Sequence, residues 1–135
     1  MVAELKYKVE ISEFACDLAL FKEYNARQAF RWVFEDINDV RNFAPIFMNP
    51  AAIKKDCRGW ALSFYEESSQ AIARIKELAR GRPTIYKKVG THLATGILAT
   101  KDGISDEPNG IGHFDHFEYI NVDLKNKFSI VESLL

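Results

Sequence analysis

The chain has 135 residues, the size of one ordinary domain and too few for two separate cores. Hydrophobic residues make up 47% and charged residues 27%, which excludes a disordered or membrane-embedded chain. With 18 basic and 19 acidic residues the formal net charge is −1, an argument against a general nucleic-acid binder, whose affinity rests on neutralising phosphates.

At the N-terminus, Leu5, Tyr7, Val9 and Ile11 alternate with Glu4, Lys6, Lys8 and Glu10 and predict a half-buried strand. No apolar run here resembles a secretory leader, and none elsewhere is long enough to span a bilayer, so no membrane partner is expected. Ser12 stands where it can cap a short helix running to about Tyr24. Cys16 and Cys57 have no CxxC spacing and read as reduced, packed thiols, for which a cytoplasmic address is the default.

Ala29 to Phe34 predict a second strand, with Phe30, Trp32 and Phe34 on one face and Ala29, Arg31 and Val33 on the other. From Glu35 to Arg58 the periodicity fails, and Pro45 and Asn49-Pro50 mark the longest irregular stretch. Such stretches in compact domains are often functional or carry short helices. Trp60 to Tyr65 read as a buried strand. Glu66 to Arg80 form a helix with Ala71, Ile72, Ile75, Leu78 and Ala79 in one apolar stripe, capped by Ser68 or Ser69 and stopped by Gly81 and Pro83. Arg80, Arg82, Lys87 and Lys88 read as a solvated basic face. Thr91 to Thr100 predict a strand, Lys101-Asp102-Gly103 a turn, and Asp106 to Gly110 a polar loop. Gly112 to Val122 and Lys127 to Val131 close the chain as strands. The order predicts one α+β domain over residues 1–135, with a mixed, mainly antiparallel sheet of about five to six strands and two to three helices.

The histidines, His92, His113 and His116, all fall in the last third of the chain. On an extended strand His113 and Asp115 project to one face, and His116 and Glu118 to the other. Imidazole beside carboxylate suits metal ligation or acid–base work, and His92, His113 and Asp115 form the candidate metal set.

A second constellation is spread along the chain: Phe30-Arg31-Trp32 on an early strand, Ser63 before a helix, and Glu118 on a late strand. This layout resembles the arginine–serine–glutamate class of ADP-ribosyltransferases, and an ADP-ribosyltransferase-like fold is what the resemblance implies. It also implies NAD as cofactor, with Arg31 anchoring the phosphates, Ser63 supporting the nicotinamide ribose and Glu118 stabilising the oxocarbenium-like transition state. The chemistry suits those types: guanidinium is a bidentate fork for pyrophosphate, and a carboxylate offsets charge at the anomeric carbon. Trp60, Phe64 or Tyr65 would stack the nicotinamide, with Arg31 completing the cofactor set. The chain departs from that class at two points: Ser63 lies between Leu62 and Phe64 in place of a Ser-Thr-Ser run, and position 116 is His where an acidic or amide residue is usual. Trp60 to Phe64 and Gly112 to Tyr119 also look like the WALSF and GHFDxFEY stretches of a group of small bacterial proteins, which implies a bacterial origin.

Three functions follow as expectations. The leading one is a binding or interaction domain on an ADP-ribosyltransferase-like scaffold, with no enclosed polar pocket and with an exposed aromatic patch within residues 35–58 to meet a protein partner. The alternatives are an NAD-using transferase or hydrolase with Arg31, Ser63 and Glu118 in one cleft, and a metal-dependent hydrolase built on the histidines.

Overall fold

The computed structural model describes residues 4–135. Six strands form one antiparallel sheet: β1 (Arg27–Val33), β2 (Leu62–Tyr65), β3 (His92–Leu98), β4 (Gly103–Ser105), β5 (His113–Glu118) and β6 (Phe128–Ser133). Their order across the sheet is β4-β5-β2-β1-β3-β6. Three helices accompany them: α1 (Lys8–Ile11), α2 (Ser68–Gly81) and α3 (Ile85–Val89). The α+β class expected from the sequence is therefore found.

Period-two alternation in the central strands divides the core. Ala29 and Val33 of β1 join Leu62, Phe64, Ala94, Leu98, Phe114 and Phe128 on the first face. That face is roofed by Ile37 and Phe43 from the irregular segment and by Val122 and Leu124 from the β5–β6 connection. Phe30 and Trp32 turn to the second face, where Ala71 and Ile75 of α2 and Ile85 of α3 cover Tyr65 and Leu93. The indole Nε1 of Trp32 donates to the Ala71 carbonyl at 2.9 Å, fixing the helix to β1.

The capping of α2 differs from expectation. Glu67, not Ser68 or Ser69, is the N-cap: its carboxylate accepts from the backbone N–H of Gln70, and the Gln70 side chain accepts from the Glu67 N–H at 3.0 Å. This reciprocal pair satisfies two orphan donors where a serine hydroxyl satisfies one. Past Pro83 the chain does not continue as loop but makes the short helix α3, which buries Ile85.

The N-terminal region corrects the sequence reading most. Leu5 makes a single bridge to Tyr119, and the chain then coils into α1. Val9, which a strand would bury, is 70% exposed, whereas Tyr7 and Ile11, one helical turn apart, both pack inward. Of the helix expected after Ser12 only a 3-10 turn at Leu18–Leu20 forms, and Lys22 bridges Ser105. The cysteines are also corrected: Cys16 and Cys57 are joined in a disulfide with Cα atoms 5.7 Å apart. It ties this arm to the end of the irregular segment, within a third cluster of Ile11, Phe21, Ala61 and Phe117. Among the described residues no helix is long and apolar enough to cross a membrane.

Candidate functional site

Arg31 stands on β1 between Ala29 and Val33 and so points to the first face, its guanidinium 5.7 Å from the Phe64 ring centroid. A cation at this place in the sheet has to find acceptors, and it finds backbone ones. Nε donates to the Asn42 carbonyl at 2.7 Å and Nη1 to the Ser63 carbonyl at 2.8 Å. Burial lowers the Arg31 pKa to about 10, with Glu118 acting against the shift.

Asn42, buried to 1% exposure, completes the bracket. Its Oδ1 accepts from Phe34 N at 2.6 Å, and its Nδ2 donates to the carbonyls of Asp36 at 2.8 Å and Ile37 at 3.3 Å. Arg31 and Asn42 thus satisfy the backbone of the turn that leaves β1, and hold residues 34–43 down on the sheet.

Glu118 is buried at the end of β5 on this same face. Lys6 donates to it at 2.8 Å and to the Val122 carbonyl at 2.8 Å. Burial raises the Glu118 pKa, opposed by Lys6 and Arg31. Beside this pair lies a cavity of about 210 Å³ lined in part by Ile37, Phe43, Leu124 and Lys125, below the roughly 300–1,000 Å³ of drug-sized ligand sites.

Arg31 and Glu118 therefore share a face, as the transferase layout requires. Ser63 does not join them. It is exposed and alternates with the buried Leu62 and Phe64, so its hydroxyl projects from the opposite face and only its carbonyl meets Arg31. The rings expected to stack nicotinamide are packed elsewhere. Phe64 is fully buried between Phe114 and Phe128. Trp60 stacks on Tyr7 and meets the edge of Phe47. Tyr65 lies against Trp32 and His113.

The candidate metal set does not assemble. His113 and Asp115 share a face as the alternation predicts, with His113 Nε2 3.7 Å from Asp115 Oδ1. His92 is on β3, and β2 and β1 lie between it and β5. Three strand spacings put it roughly 14 Å away. Among the described residues no three His, Cys, Asp or Glu side chains are gathered as a metal would need. The strongest partner of Asp115 is Arg58, whose Nη1 donates to Asp115 at 2.6 Å and to Asp106 at 2.7 Å. Burial raises the Asp115 pKa and Arg58 opposes it.

A further histidine cluster lies under the β4–β5 edge. His116 Nδ1 is 2.7 Å from Ser105 Oγ, and its Nε2 has no hydrogen-bond partner among the described residues. Asp102 accepts from Ala99 N at 2.7 Å and is paired with Lys127. Burial lowers the His116 pKa to about 4 while the charge of Asp102 opposes it. His116, Ser105 and Asp102 are each no more than 3% exposed, so this is a neutral strut inside the fold, beyond the reach of a substrate. Gly103, at φ 150°, makes the turn beside it possible, since a Cβ there would overlap the Phe117 carbonyl.

The outer surface of the irregular segment is the remaining feature. It carries Val40 at 88%, Ile46 at 67%, Met48 at 55% and Ile53 at 78% exposure, so the expected aromatic patch is not found: Phe47 is buried and Phe43 packs on the core. Its backbone is ordered by Asn42, by a 3-10 turn at Ile46–Met48 and by the disulfide at Cys57. The sequence marked the segment as irregular, but Asn42 had no signal beyond being one polar residue among many. No protein-family profile, curated protein or solved structure matches this chain.

Proposed function

We propose that this chain is a non-catalytic binding module that docks a protein partner through the outer surface of residues 35–58. The observation that carries the reading is the outward display of Val40, Ile46, Met48 and Ile53 on a segment pinned at its start by Arg31 and Asn42 and tied at its end by the disulfide at Cys57. Large aliphatic side chains left in water on an ordered backbone lose solvent contact on docking, and the ordering cost is already met by the fold.

An ADP-ribosyltransferase-like scaffold and a bacterial origin belong to the same proposal. They rest on the order of Arg31, Ser63 and Glu118 and on the Trp60–Phe64 and Gly112–Tyr119 stretches. A scaffold can outlast its chemistry, and an arginine whose donors are turned to backbone carbonyls fits that history. The NAD-using alternative keeps one observation in its favour, the shared face of Arg31 and Glu118. A cytoplasmic address now requires that Cys16 and Cys57 be kept reduced in the cell, since a stable disulfide belongs to an oxidising compartment. Thiol labelling of the cellular protein distinguishes the two.

The test places a photo-crosslinking residue at position 53 and, as a control, at position 97, where Ile97 is exposed on β3. The expected result is a discrete protein adduct from position 53 alone. Once purified, that protein binds the wild-type chain and loses about tenfold or more in affinity for Val40→Ser/Ile53→Ser. An adduct formed equally from position 97, or an affinity that the double substitution leaves unchanged, contradicts the reading.

A further inference from the structure

Charge is unevenly spread over this molecule. Of its 18 basic and 19 acidic residues, six basic residues and one acidic residue fall between Arg74 and Lys88, so the remainder of the chain is acidic. The one acidic residue, Glu77, is taken by Arg74 at 3.3 Å. Lys76, Arg80, Arg82, Lys87 and Lys88 are all exposed. Among the described residues none of the five has a carboxylate partner, whereas Arg41, Arg58 and Lys127 each sit on one. We infer that the outer face of the α2–α3 hairpin is a contact surface for an acidic polypeptide segment.

Helix dipoles account for only part of the cluster. A cation in the last turn of a helix meets the unpaired carbonyls there, but the effect fades within that turn. Lys76 lies before the last turn of α2, and Arg82 lies beyond its end. Five like charges on one short hairpin repel each other, and carboxylates at helical spacing would relieve this at little cost. The arrangement instead offers a field to an anion from outside.

An acidic polypeptide fits better than a phosphate polymer or a lipid surface. Tyr86, the hairpin's aromatic ring, packs against the second core and is not free to stack on a base. No large hydrophobic side chain between residues 74 and 90 is exposed for insertion among acyl chains. The acidic remainder of the molecule repels a long polyanion, while a short acidic segment need meet only the hairpin. The surface lies on the helical side of the sheet, away from the segment that roofs the first face, so the inference does not depend on the docking role of residues 35–58.

Fluorescence anisotropy with a labelled poly-L-glutamate of about 20 residues tests it. Wild type should bind, and binding should weaken as salt is raised. The variant with Lys76→Gln, Arg80→Gln, Arg82→Gln, Lys87→Gln and Lys88→Gln should lose about tenfold or more, while Lys54→Gln/Lys55→Gln, with two cations removed elsewhere, should bind as wild type. A melting curve checks that the fivefold variant is folded, and Arg82→Glu/Lys87→Glu carries the same test with two changes. Absence of binding at low salt, an equal loss in the Lys54/Lys55 control, or tighter binding of a single-stranded DNA of about 20 nucleotides would each overturn the inference.

Discussion

On one side of the sheet, Phe30 and Trp32 meet the apolar stripe of α2; on the other, Arg31 meets the Asn42 carbonyl of the segment that crosses above it and the Ser63 carbonyl of β2. Both sides exclude water, by different means. The helical side gains most from area removed from water, which is spread over many contacts and tolerant of small changes. The irregular side depends on a few buried polar groups that satisfy backbone which has no ladder of its own, so single residues there matter out of proportion to their size. A helix orders itself once its stripe is covered, whereas residues 34–43 rely on Arg31 and Asn42 together with Ile37 and Phe43 packed on the core.

The largest effect expected is on the helical side. Ile75 is fully buried, and Ile75→Ala should cost about 3 kcal/mol in a urea titration without altering the shape of the irregular segment. Next in size is a pH effect on the polar side. His116 is held neutral with its pKa near 4 against an ordinary 6.5, so the unfolded chain takes up the proton first. Stability from this group is complete above about pH 6.5 and is lost as pH falls towards 4, with a full cost on the order of 3 kcal/mol. Asp115 and Glu118 act in the opposite sense: burial raises their pKa values, so their stabilisation grows as pH falls through those raised values. Denaturation midpoints measured between pH 7 and 4.5 should fall less steeply in His116→Gln than in wild type, and identical slopes would contradict the assignment.

Asn42→Ala removes partners from three backbone groups and should cost about 2 kcal/mol. Its signature is faster amide exchange confined to residues 34–43, with the helical side unchanged. Smallest is Gln70→Ala, which opens the cap of α2 for about 1 kcal/mol and tests whether Glu67 needs its reciprocal partner. Should Gln70→Ala prove more costly than Asn42→Ala, the contrast between the two sides would fail.

That contrast also explains what the sequence made legible. Ala71, Ile75 and Leu78 announce α2 because a covered stripe must repeat with the helix, and β1 shows its alternation for the same reason, whereas β5, buried along nearly its whole length, does not. The opposed faces of His113 with Asp115 and His116 with Glu118 follow from that rule and are found. The N-terminal arm misleads because Tyr7 and Ile11, four residues apart, suit two periods at once; packing chose the helical one and left Val9 in water. Asn42 and the carbonyl partners of Arg31 leave no trace in local pattern, since a hydrogen bond to backbone far along the chain imposes no residue type on its acceptor. The Cys16–Cys57 bond is hidden likewise, as two cysteines without a motif fit either redox state.

Amide hydrogen exchange on wild type, with and without millimolar NAD, and on Arg31→Ala tests most directly whether Arg31 is a bracket for the docking segment. NAD should leave the exchange pattern unchanged, and Arg31→Ala should lose protection over residues 34–43 while α2 keeps its own. Protection by NAD around Arg31 and Glu118, abolished in Arg31→Ala with residues 34–43 still protected, would contradict the bracket role and make Arg31 a ligand anchor.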